Sequence, residues 1–168
     1  MNILRFKING FALLITIQIL LFSCTTTDLS QEDKILLTEM NRLSPISTFG
    51  VDLAFGSLST ETYSVIFTIQ KEPNIAHKML ETVLNEIGSH VVSHELETKK
   101  MYIQAVIGSG ALNMNPAFVK IEYLITETGI DCELISYAKE GLIKQKTAEK
   151  AARKVISELS KHYVEGSK

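Results

Sequence analysis

Apolar residues occupy every second position from Tyr63 through Val65 and Phe67 to Ile69, a period of two that predicts a half-buried strand. Val51, Leu53 and Phe55 repeat the pattern just upstream and predict a strand before it, with Gly56 in the connection. Then the period changes. Behind Pro73, residues Ile75, Ala76, Met79, Leu80, Val83, Leu84 and Ile87 recur at three and four positions until Gly88, which predicts an amphipathic helix laid on a sheet. Further strands are expected over 91–95, 101–107, 118–126 and 131–139, the first two joined through Thr98-Lys99-Lys100 and the last two through Thr128-Gly129. A final helix starts at Thr147 as N-cap and carries Ala148, Ala151, Ala152, Val155, Ile156 and Leu159 on one face. Strands joined by short turns pair antiparallel. The expected order is therefore β-β-α-β-β-β-β-α, an α+β fold with an antiparallel sheet of about five or six strands and both helices on one face.

The N-terminal segment follows a different logic. A short basic start with Arg5 and Lys7 leads into an apolar stretch over 11–22, broken only by Thr16 and Gln18, and then a small residue, Ser23. That is the layout of a secretory signal peptide. The run is about 12 residues, where a membrane-spanning helix needs about 20, and Thr25, Thr26, Thr27 and Asp28 follow at once. Its end, Leu21-Phe22-Ser23-Cys24, resembles the lipobox of bacterial lipoproteins, with Phe22 where a smaller residue is commoner. The resemblance covers the signal segment alone. It implies cleavage before Cys24, acyl chains on that cysteine, and a chain held by lipid on the extracytoplasmic side of a membrane, inner or outer undecided.

On this reading the chain divides into a signal peptide over 1–23, a polar tether over 24–47 ending near Pro45, and one domain over 48–168. The tether carries a short amphipathic stretch, Ile35, Leu36, Leu37 and Met40, with room for a short helix. The signal holds two of the 17 basic residues and none of the 19 acidic ones, so the mature chain has a net charge of −4 and nothing in it points to nucleic acid.

Candidate chemistry is thin. With Cys24 lipidated, Cys132 has no intramolecular partner and is expected to be a buried structural thiol, since Asp131 and Glu133 beside it disfavour a thiolate. His90 and His94 fall about 13 Å apart on a regular strand, too far to share one metal ion. Glu122, Glu127, Asp131 and Glu133 cluster around one hairpin and read as a solvated sheet face. No nucleophile elbow, HExxH or phosphate loop is present, so no catalytic residue, metal or cofactor is expected and an enzyme is the least favoured reading. Two segments are candidate contact sites instead. One is the loop over 108–116, with Leu112, Asn113, Met114 and Asn115 as a partner-binding stretch; the other is a basic patch of Lys144, Lys146, Lys150 and Arg153 for an anionic surface or acidic partner.

The element order resembles the helix-and-sheet domains of small envelope lipoproteins, including helix-grip accessory domains of outer-membrane assembly. That likeness implies a binding or scaffolding role. The expected function is accordingly a lipid-anchored, non-enzymatic binding or assembly module with an envelope protein as partner. The alternative is a small-molecule or lipid carrier using a cleft between the helix over 74–88 and the sheet, which requires an apolar cavity of about 300 Å³ or more.

Overall fold

Five strands pair in one antiparallel sheet in the order β1-β5-β4-β3-β2. The computed structural model describes residues 29–43, 55, 58–109, 115–140 and 145–165, and Gln31–Lys168 forms one compact unit. Its elements are α1 (Gln31–Leu43), β1 (Ser59–Ile69), α2 (Pro73–Ile87), β2 (Gly88–Glu97), β3 (Lys100–Ser109), β4 (Asn115–Ile125), β5 (Ile130–Glu140) and α3 (Thr147–Glu165). Strands β2 to β5 form a meander, and β1 closes onto β5 in unbroken register from Ser59↔Glu140 to Ile69↔Ile130. The α+β class and the antiparallel sheet expected from the pattern are what the chain forms.

Alternation along the strands sorts side chains onto two faces. One row of each central strand, including Ile103, Ile107, Val119, Ile121, Ile130 and Leu134, is fully buried under Leu80, Val83 and Leu84 of α2 and Ala148, Ala151, Ala152 and Val155 of α3. Three alanines on one face let α3 approach the sheet closely. Glu72 caps α2, its carboxylate accepting from the Asn74 and Ile75 N–H groups at 3.3 Å, while Pro73 occupies the first turn, where no N–H is missed. The helix then passes into β2 with no linking residue. Gly88 makes that junction possible, because a Cβ there would lie 2.7 Å from Ile107 and 2.9 Å from the Leu84 carbonyl. Gly129 is constrained in the same way, a Cβ falling 2.0 Å from the Ile69 carbonyl oxygen.

The opposite face carries a smaller cluster, and here the sequence expectation changes. Residues 31–43, placed in the polar tether, form α1, which packs against β4. Leu36 is buried at 2% exposure, and Asp33 pairs with Lys139 of β5 at 3.0 Å. Lys139 also stands over the ring of buried Phe55, 5.0 Å from its centroid. Phe55 was expected to end a strand, but its backbone is helical; Val51 and Leu53 lie outside the described residues. Its burial beneath a β5 side chain explains why alternation misled: the ring fills the sheet's second face. Among the described residues no helix is long and apolar enough to cross a membrane.

If α1 belongs to the folded unit, Leu36→Ala should lower the unfolding free energy by about 2–3 kcal/mol in urea denaturation. Thr38→Ala, on the exposed side of the same helix, should change it little.

Candidate functional site

The sheet ends as an open trough at the C-terminal end of β1. Phe67 and Ile69 form its floor, Met79 of α2 lines one side, and Ile156, Leu159 and Tyr163 of α3 line the other, enclosing about 320 Å³. Met79 is shared with an adjoining hollow of about 460 Å³ bounded by Ile75, Asn74, Lys78 and Thr82 of α2, by Lys71, and by His162 of α3. The local sequence accounts for this. Core positions on α2 (Ala76, Leu80, Val83, Leu84) leave Ile75 and Met79 on the flank toward α3, and Ile75 remains 57% exposed. On α3, Ile156 and Tyr163 sit beside the buried stripe rather than in it.

The hollow adjoining this apolar trough carries two lysines and a histidine. Lys71 stands 4.9 Å from the Tyr163 ring centroid, His162 lies 2.9 Å from Glu86, and Lys78 has no partner among the described residues. An exposed lysine beside an apolar floor is suited to a ligand with an apolar body and an anionic end.

Two polar clusters were not anticipated from sequence. In the first, the buried Tyr123 hydroxyl meets His77 Nδ1, His77 Nε2 lies 3.3 Å from Glu81, and Ser93 donates to Glu81 at 3.2 Å. Burial, helped by the Glu81 charge and Cys132, pushes the Tyr123 hydroxyl up to about 12. Cys132, opposite Tyr123 in the ladder, is also pushed up to about 12 by burial and Asp131. Both groups stay protonated at neutral pH, so the cluster is a satisfied hydrogen-bond network and not an activated nucleophile.

The second cluster is the start of α3. Lys146 (φ 56°) accepts the first helical bond from Lys150 N–H, which places it at the cap and Thr147 at the first helical position rather than at the N-cap. The free N–H groups are taken by strand glutamates: Glu140 accepts from Gln145 at 3.1 Å and Thr147 at 2.8 Å, and Glu61 accepts from Ala148 at 2.8 Å. The two carboxyls are close enough to shift each other's protonation. Burial raises Glu61, and the neighbouring Glu140 adds to that. Burial pushes Glu140 up too, but the Thr147 N–H and hydroxyl, the Glu61 carboxyl and the Gln145 N–H outweigh it and hold Glu140 low.

The segments singled out earlier fare differently. Cys24, Leu112, Asn113, Met114 and Lys144 lie outside the described residues, while Asn115 opens β4 and donates to the Gln145 side chain at 2.7 Å. Lys146 and Arg153 both pair with Glu149, at 3.3 and 2.8 Å, and Lys150 is exposed. His90 reaches Glu39 of α1 and His94 stacks on Tyr102. No group of three or more metal-ligating side chains occurs among the described residues.

No family description and no curated protein matches the sequence. Solved structures resemble the chain at low scores. A protein of unknown function from Staphylococcus aureus aligns at 9% identity with a TM-score of 0.37, covering 67% of this chain and 98% of its own. A Thermus thermophilus protein aligns at 15% identity and 0.36, over 64% of this chain and 100% of its own. The major latex-like protein 151 of Panax ginseng aligns at 8% identity and 0.29, over 62% and 97%. Scores this low say nothing about function.

The acid pair makes a pH prediction. Glu61, raised, contributes stability that is full below the ordinary carboxylate value of 4.5 and is lost as pH rises through its own value. Glu140, lowered, contributes stability that is full above 4.5 and is lost as pH falls through its own value. Thermal stability should therefore be highest between the two. In Glu61→Gln the decline on the alkaline side should disappear from melting curves taken between pH 4.5 and neutrality, while Glu140→Gln should be less stable than the parent at neutral pH.

Proposed function

We propose that this chain is a bacterial envelope lipoprotein, anchored through Cys24 on the extracytoplasmic side of a membrane, and that its folded unit is a non-enzymatic binding module for anionic amphiphiles. The lipid anchor is inferred from the lipobox-like Leu21-Phe22-Ser23-Cys24. The binding role rests on one observation: an apolar trough between α2 and α3 adjoined, through Met79, by a hollow that carries the ring-stacked Lys71 and Lys78, which has no partner among the described residues. The core between the helices and the central strands is tightly packed. The ligand site therefore lies between the two helices over the end of β1, rather than in a cleft between one helix and the sheet. Burial of each methylene in such a trough is worth about 0.8 kcal/mol, and the lysines select the headgroup. The polar clusters support binding over catalysis, because their hydroxyl, thiol and imidazole groups are spent on internal hydrogen bonds or kept protonated by burial.

Dodecanoate should give saturable binding in isothermal titration below its micellar concentration, whereas dodecyltrimethylammonium of the same chain length should give none. Lys71→Glu with Lys78→Glu should weaken dodecanoate binding by about tenfold or more. Equal binding of both amphiphiles, or a double variant that binds like the parent, would sink the assignment. For the anchor, Cys24→Ser should leave an uncleaved precursor without the acyl mass; normal maturation of that variant would defeat the lipoprotein reading.

A further inference from the structure

The two edges of the sheet are built differently. The β2 edge loses register with β3 between Ser89 and Val92 and again between Glu95 and Glu97, and His90 sits at a left-handed φ of 53°. Such irregularities turn an edge away from a further strand. The β1 edge has none of this protection. Its eleven residues keep unbroken register with β5 and contain no proline and no glycine. Its one carboxylate, Glu61, is engaged at the start of α3.

Among the described residues no strand pairs with the free side of β1. Of the chain just before β1, Phe55 and Leu58 are described. Leu58 N–H closes a turn on the Phe55 carbonyl at 3.2 Å, and the Phe55 ring lies beneath Lys139, one strand inward. Apolar side chains on β1 are left half covered. Tyr63, Val65 and Phe67 are only partly buried against the core, and Ile66 on the other face is 80% exposed. A long edge of unbroken register, with one carboxylate and incomplete side-chain burial, is a template for another strand.

We infer that β1 pairs antiparallel with β1 of a second copy of this chain about a two-fold axis at Ile66, joining two sheets into one. This interface does not rest on the amphiphile reading, although Phe67, Ile69 and Lys71 belong to both surfaces. The strand's self-complementarity commits the edge to a second copy. With Ile66 opposite its own mate, Val65 faces Phe67 and Tyr63 faces Ile69 on the core side, and Ser64 faces Thr68 on the other. Extended two residues past the strand, the same register sets Glu61 opposite Lys71. No like charges meet, and the pairs over 63–69 keep apolar with apolar or hydroxyl with hydroxyl, as stable cross-strand neighbours do, while Thr62 faces Gln70. A two-fold contact of this kind is closed, so association stops at two copies.

The test is sedimentation equilibrium of the full chain in density-matched detergent, with Ile66→Lys as the disrupting variant. The parent should sediment as a dimer. Ile66→Lys should raise the dissociation constant by about tenfold or more with an unchanged far-ultraviolet circular dichroism spectrum, because the side chain is exposed in one copy. In parallel, Ile66→Cys should oxidise to a covalent dimer. Thr62→Cys should not, its mate lying roughly 26 Å away along the strands in this register. A monomeric parent, a dimer indifferent to Ile66→Lys, or cross-linking through position 62 instead of 66 would each overturn the inference.

Discussion

Two glutamates on neighbouring strands hold the N-terminus of the long C-terminal helix. A helix docked on a sheet must find partners for its first N–H groups, because water does not reach them. Here Glu140 of β5 and Glu61 of β1 supply those partners, with Glu140 itself only 4% exposed. The arrangement ties the first turn of α3 to the outermost pair of strands. The rest of the helix then runs along β1, its alanines close to the sheet at the start and its larger Ile156, Leu159 and Tyr163 near the end. The trough is where those larger side chains face Met79 of α2.

This explains why core and site separate so cleanly. Where small residues meet the central strands the packing is complete, with Ile103, Val119, Ile121 and Leu134 fully buried. Toward the end of β1 the two helices meet through partly buried Met79 and Ile156 over Phe67 and Ile69, and the interior opens to solvent. Lys71 and Lys78 line the hollow next to it. The same strand that floors the trough also leaves its outer edge unblunted, so β1 bears both proposed contacts, with Phe67 and Ile69 common to the two.

Much of the fold was legible because period-two and period-3.6 patterns report burial directly. The strands β1 and β3 to β5, the helix from Pro73 to Ile87 and the hairpin at Thr128-Gly129 all follow from apolar spacing and turn chemistry. The second face of the sheet was not legible. Leu36 sits in a polar neighbourhood that reads as linker, and Phe55 sits in an alternating run that reads as strand; both are buried by tertiary contacts that local periodicity cannot encode. The start of α3 misled for a related reason: Thr147 is a good capping residue, but carboxylates distant in sequence occupy that role. The trough was illegible because its walls come from three elements, and the residues that matter, Met79, Ile156 and Lys78, are ordinary members of amphipathic helices until those elements are brought together.

The most direct test of the account is a methyl-resolved NMR titration of the protein with dodecanoate. Saturable shifts confined to Met79, Ile75, Ile156, Leu159 and Ile69, with Ile103 and Leu134 still, are the predicted result. Shifts that fall instead on Ile121, Leu134 and Val83 would put the ligand inside the packed core, and an unperturbed spectrum would remove the binding role; either would contradict the account.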